Sequence, residues 1–150
     1  MNIEEMKRIM VLFFHAMNDK NSSLIEDYLA DTIKWHNGCY GENGSDVIIN
    51  WQKQDFINFA ILGNGYFDFE KKTTLNFHIA EGEKIFTHFT YEGIHNKGNI
   101  WSYPPTGKKI RFNALYTTLF ENGLITEIWV TFEGAAILHQ LGIVNLGNGG

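Results

Sequence analysis

Apolar residues recur at intervals of three and four at the start of the chain: Ile3, Met6, Ile9, Met10, Phe13, Phe14 and Met17. That period places them on one face of an amphipathic helix. Asn18, Asp19, Lys20 and Asn21 break it. Ser22 or Ser23 can cap a second short helix with Leu24, Ile25, Tyr28 and Leu29 inside. Residues 33–37 alternate like a short strand, and Gly38, Gly41 and Gly44 then make a loop. Ser45 or Asp46 is read as the cap of a third helix running to about Ala60, its apolar side carrying Val47, Ile48, Trp51, Phe56 and Phe59.

From residue 67 the period changes to two. This predicts strands near 67–80, 84–94, 108–120 and 124–133. Gly82 lies in the first turn, and Asn122-Gly123, a strong hairpin signal, in the last. Pro104 and Pro105 keep residues 95–107 out of a ladder. A final helix is expected over about 134–142, followed by a frayed tail from Asn145 to Gly150. Helices first and hairpin-linked strands later define an α+β domain spanning residues 1–150. Its sheet is mainly antiparallel and strongly curved, with helices over one face enclosing a cone-shaped cavity.

Composition narrows the partners. Aromatic residues make up 15% of the chain, which suits an apolar small-molecule pocket as well as a bulky core. The net charge is −5 and the basic residues are scattered, so neither nucleic acid nor an anionic membrane is an expected partner. The single cysteine, Cys39, fits a reducing compartment. With no signal-peptide pattern and no long apolar run, the expected location is cytoplasmic.

The stretch from Tyr103 to Gly142 carries a resemblance. PPTGK at 104–108, the F-x-N-G-x-I-x-E-x-W run ending at Trp129, and QLG at 140–142 resemble the SnoaL-like polyketide cyclases of the NTF2-like superfamily. YEGIH at 91–95 is similar to that family's Gly-Thr-His segment, with Ile94 in place of Thr. IKWHN at 33–37 is similar to its early strand. The resemblance implies a helix-covered curved sheet with a deep pocket, a homodimer, and acid/base catalysis by a carboxylate with no metal or cofactor. The family's carboxylate lies four residues after the Trp of the E-x-W run. Glu133 stands there where the family usually has Asp.

On an uninterrupted strand, Glu127, Trp129, Thr131 and Glu133 share one face and Ile128, Val130 and Phe132 the other. If the first set faces the cone, Glu133 is a general base beside an indole in low dielectric. If it does not, Glu133 is a helix-start residue favoured by the helix dipole. His88, mid-strand, and His95, the counterpart of the family's histidine, are candidate catalytic partners. Trp35, His36, Trp51, Trp101, Tyr116 and Trp129 are candidate substrate-binding residues, with Trp101 a possible lid and Tyr116 an oxyanion donor. The alternatives are core packing for the four Trp residues, an exposed polar face for His88, and a structural hydrogen bond for His95 and His36. His78 is expected to face solvent, and His139 to lie on the surface. No H-x-H or H-x-x-x-H spacing points to metal. The expectation is a cofactor-independent enzyme acting on an apolar carbonyl compound by cyclisation, isomerisation or hydrolysis. The rivals are a non-catalytic hydrophobic ligand-binding module and a dimerising scaffold.

Overall fold

The computed structural model describes residues 1–147, so the last three residues of the expected frayed tail lie outside the described residues. Helix α1 spans Ile3–Asp19 and buries the apolar stripe read from its period. Asn2 caps it, its side chain accepting the Glu5 N–H at 2.8 Å, and Glu4 and Glu5 sit in the first turn where the helix dipole favours them. Two 3-10 turns, Ser22–Leu24 and Glu26–Tyr28, replace the expected second helix. Strand β1 (Leu29–His36) follows directly.

The expected third helix begins late. Ile48–Gln52 is strand β2, paired antiparallel with β1, and helix α2 covers only Lys53–Phe56 before a wider π-helical turn, Ile57–Leu62. The reason is tertiary: β1 offers a free edge, and β-branched Ile48 and Ile49 fit a pleated strand better than a helix. Strands β3 (Glu70–Glu81), β4 (Lys84–Ile94), β5 (Lys109–Glu121) and β6 (Leu124–Phe132) form the meander foreseen, and helix α3 (Gly134–Gln140) closes the order. Positive φ at Asn122 and Gly123 matches a type I′ hairpin.

The six strands form one sheet in the order β2-β1-β6-β5-β4-β3. All neighbours are antiparallel except β1 and β6, which run parallel. Helix α1 packs on the concave face over β3 and β4. Its Phe13 and Phe14 meet Tyr116 and Phe89, with ring centroids 4.7–6.2 Å apart. Each fully buried Phe contributes roughly 1.5–3 kcal/mol. At the cone's mouth Gly93 lies so close to the Glu70 carbonyl that any side chain would collide with it. No described helix is long and apolar enough to cross a membrane.

Candidate functional site

The concave face and the segments above it enclose a cavity of about 310 Å³. Its walls are Trp35 from β1, Phe89 and Tyr91 from β4, Tyr116 from β5, and Val130 and Phe132 at the end of β6. Lys71, the second residue of β3, lines it too. Alternation makes this set: Lys71 and Thr73 face inward between exposed Glu70, Lys72 and Thr74.

Three lysines, Lys20, Lys71 and Lys97, and three tyrosines, Tyr66, Tyr91 and Tyr116, are among its lining residues. Lys71 Nζ donates to the main-chain carbonyls of Phe67 at 2.9 Å and Asn64 at 3.1 Å, and lies 5.3 Å from the centroid of the Phe69 ring. Burial pushes its pKa down to about 7; repulsion from Lys20 and Lys97 adds to this, and Asp68 opposes it. Burial pushes Tyr91 up to about 12, and drives Tyr116 well above the ordinary phenol value with a further contribution from Tyr91 beside it. Both phenols therefore stay protonated, with the Tyr116 hydroxyl turned toward that of Tyr91. Trp35 Nε1–H is buried and reaches no acceptor in ordinary hydrogen-bond geometry. It lies near enough to the Tyr66 hydroxyl to draw that pKa back slightly against the larger effect of burial, but no well-formed bond joins the pair and the donor is unmet.

Glu133 is not in this cavity. It is exposed, its Oε1 accepting the Asn113 N–H at 2.6 Å while its own N–H donates to the Asn113 carbonyl at 3.3 Å. It stands at the N-terminal boundary of α3 and makes no side-chain cap bond, so the pocket position is not taken and the exposed helix-start position is. The face assignment on β6 is the reverse of the catalytic expectation. Ile128 and Val130 are buried toward the cone, and Glu127, Trp129 and Thr131 look outward, where carboxyl groups need not be desolvated. His88 is also on this outer face. It shares with Glu133 a groove of about 370 Å³ lined in addition by Phe86, Asn113, Leu115 and Thr131. Asn76 Nδ2 donates to His88 Nδ1 at 2.9 Å and to Thr90 Oγ1 at 2.8 Å, and Thr90 Oγ1 donates to Asn113 Oδ1 at 2.8 Å.

His36 and Trp129 are neighbours on the outer face, stacked at 4.7 Å with 10° between their planes. Asp46 Oδ2 meets His36 Nδ1, and Glu127 Oε2 meets Nε2, both at 2.5 Å. This clamp pins the loop that carries Asp46 to β1 and β6. His95 is fully buried but away from the cavity. Its Nε2 donates to the Gly98 carbonyl at 2.8 Å and its Nδ1 accepts the Thr106 N–H at 3.2 Å, so it staples the 95–107 loop. Trp51 stacks on Phe59 at 4.9 Å, and Trp101 packs against Phe67 and Phe132; both stand behind cavity walls, and Trp101 is no lid over a mouth. His78, expected in solvent, is half-buried against Thr87. Of the residues proposed from the sequence, Trp35 and Tyr116 line the cavity. Lys71 and Tyr91 were missed. Tyr91 was within reach, since it alternates with buried Ile85, Thr87 and Phe89; nothing in "EKKTTL" marks one lysine as inward-facing.

A curved, mostly antiparallel sheet wrapped by helices around one ligand-sized hollow is the α+β cone of the NTF2-like proteins. Within that class, the chain belongs to the SnoaL-like polyketide cyclase family, whose pattern matches residues 67–141. No curated protein sequence matches the chain. Among solved structures it is similar to AclR, a candidate hydroxylase from Streptomyces galilaeus, with 17% identity, a TM-score of 0.75, and 99% of this chain and 91% of that one covered. It is also similar to TsrD from Streptomyces laurentii, with 18% identity, a TM-score of 0.74, and 96% and 99% covered. A third is IdmH, a candidate polyketide cyclase from Streptomyces antibioticus, with 18% identity, a TM-score of 0.71, and 91% and 97% covered. At such identities the likeness is one of fold. Among the described residues no group of three His, Cys, Asp or Glu side chains could hold a metal ion.

Proposed function

We propose that the cone binds an apolar small molecule bearing a carbonyl group and performs cofactor-independent acid/base chemistry on it: cyclisation, isomerisation or hydrolysis. One observation carries this reading: the Lys71 amine, the Tyr91 and Tyr116 phenols and an unmet indole N–H line a single aromatic cavity. Above a pH of about 7 the Lys71 amine is neutral and can take a proton from a carbon next to the carbonyl. Tyr116, Tyr91 and Trp35 are the donors for the oxyanion that then develops. General-base assistance is worth roughly 10²–10⁴ in rate, and an oxyanion donor roughly 10²–10³.

The test is solvent deuterium exchange into 2-tetralone, an apolar ketone with acidic α-hydrogens, followed by NMR. Exchange faster than in buffer, reduced about a hundredfold by Lys71→Met and less by Tyr116→Phe, supports the reading. Exchange indifferent to both variants overturns it. Binding without exchange points to the non-catalytic ligand-binding module. A second reading has an observation of its own: His88 and Glu133 share the outer groove, and catalysis there would depend on them and not on Lys71. We also read residues 1–150 as one cytoplasmic domain acting as a homodimer. Exposed Phe77 and Ile79 on the outer face support the dimer, which sedimentation would test.

A further inference from the structure

Lys71 differs from the other lysines that line the cavity. Lys20 and Lys97 are exposed, whereas Lys71 is half-buried, its stem against aromatic walls. An ammonium group has three N–H donors, and a neutral amine has two and a lone pair. Two strong acceptors surround Nζ: the carbonyls of Phe67 and Asn64. A third, Asn64 Oδ1, is 3.5 Å away, at the limit for a hydrogen bond, and already accepts from Lys20 at 3.3 Å. The two carbonyls match the two N–H bonds of a neutral amine and hold it in one orientation. The facing charged groups are Lys20 and Lys97, which disfavour an ammonium, and Asp68, which favours one. The rings of Phe69 and Tyr91, 5.3 and 5.9 Å from Nζ, exclude water on one side and also attract a cation. The balance of these effects leaves a pKa of about 7, so a substantial fraction of the amine is nucleophilic at neutral pH.

We propose that Lys71 Nζ attacks the carbonyl carbon of a ligand seated in the cone and forms an iminium (Schiff-base) linkage. This rests on the reading of the cone as a carbonyl-binding cavity and makes the first act of the amine covalent. The lone pair forms the C–N bond as the carbonyl π electrons move to oxygen. A proton passes from nitrogen to that oxygen, giving a carbinolamine. Protonation of its hydroxyl, from Tyr91 or from solvent, lets the C–O bond break with loss of water and leaves C=N⁺. The iminium withdraws electrons more strongly than the carbonyl it replaces. It acidifies the neighbouring C–H and activates the ligand for ring closure or isomerisation without a cofactor.

The experiment uses 2-naphthaldehyde with the intact wild-type protein. Tryptophan fluorescence reports binding, and cyanoborohydride followed by peptide mass mapping reports imine formation. The expected result is an adduct at Lys71 about tenfold above any other lysine, with a trapping rate that rises with pH and is half-maximal near 7. Lys71→Met, which puts an uncharged side chain of similar length there, should lose the adduct and still quench. Quenching with no adduct, or with one scattered over surface lysines, overturns the covalent step and leaves the cavity reading intact. Neither quenching nor an adduct overturns both.

Discussion

The two faces of the sheet handle polar groups in opposite ways. On the outer face they are bonded to one another: His36 between Asp46 and Glu127, His88 to Asn76, Asn76 to Thr90, Thr90 to Asn113, and Asn113 to Glu133. On the concave face Trp35 Nε1 has no partner, and the Tyr91 and Tyr116 phenols and the Lys71 amine, their pKa values displaced by burial, line a hollow. A closed network stabilises, and its members have little capacity left for a ligand. Unmet donors in a low-dielectric hollow cost free energy unless something binds there. The comparison sets spare hydrogen-bonding capacity inside the cone against a satisfied network outside it.

The comparison can be broken at several points. Phe13→Ala removes a ring packed between α1 and Tyr116; it should cost about 3–5 kcal/mol in denaturant unfolding, while Phe77→Ala on the outer face should cost less than about 0.5 kcal/mol in the monomer. Equal losses would mean that the concave face is not the core that holds the cone.

His36→Ala leaves two carboxylates facing each other without the imidazole between them. A loss of about 2 kcal/mol is expected, with His36→Gln recovering part of it, and no change in naphthaldehyde binding. If binding fails while the fold survives, the outer clamp is functional after all.

Lys71 titrates near 7 in the folded chain and near 10.5 when unfolded, so between those values the unfolded state holds the extra proton. Stability then rises with pH across that window. Relative to Lys71→Met, the wild type should gain on the order of 1 kcal/mol or more as the pH rises from about 7 to about 10, whatever fixed cost the substitution carries. A gap that does not change with pH would show that the amine is not held in low dielectric.

Glu133→Gln should have the smallest effect. The amide oxygen still accepts the Asn113 N–H, so stability should change by less than about 0.5 kcal/mol, and trapping at Lys71 should not change. Loss of ketone exchange in this variant alone would transfer the chemistry to the outer groove.

Much of the architecture could be read in advance, because period and turn chemistry are local. The stripe from Met6 to Met17 needs only a helix to become a face, and Asn122-Gly123 needs only a hairpin to relieve its positive φ. Ile48–Gln52 was misread because its pairing partner, β1, lies outside the window in which a period is measured. The site was less legible. Alternation correctly groups Trp129 with Thr131 and Glu127, and Ile128 with Val130, but does not say which group faces inward.

The amino-acid sequence by itself determined the first helix, the later strands with their hairpins, and the family, since these follow from neighbours in the chain. Only the tertiary structure decided that Lys71 is drawn into an aromatic wall and that Glu133 remains outside. Burial and pKa depend on which distant side chains replace water around a group, and residues far apart in sequence supply those side chains.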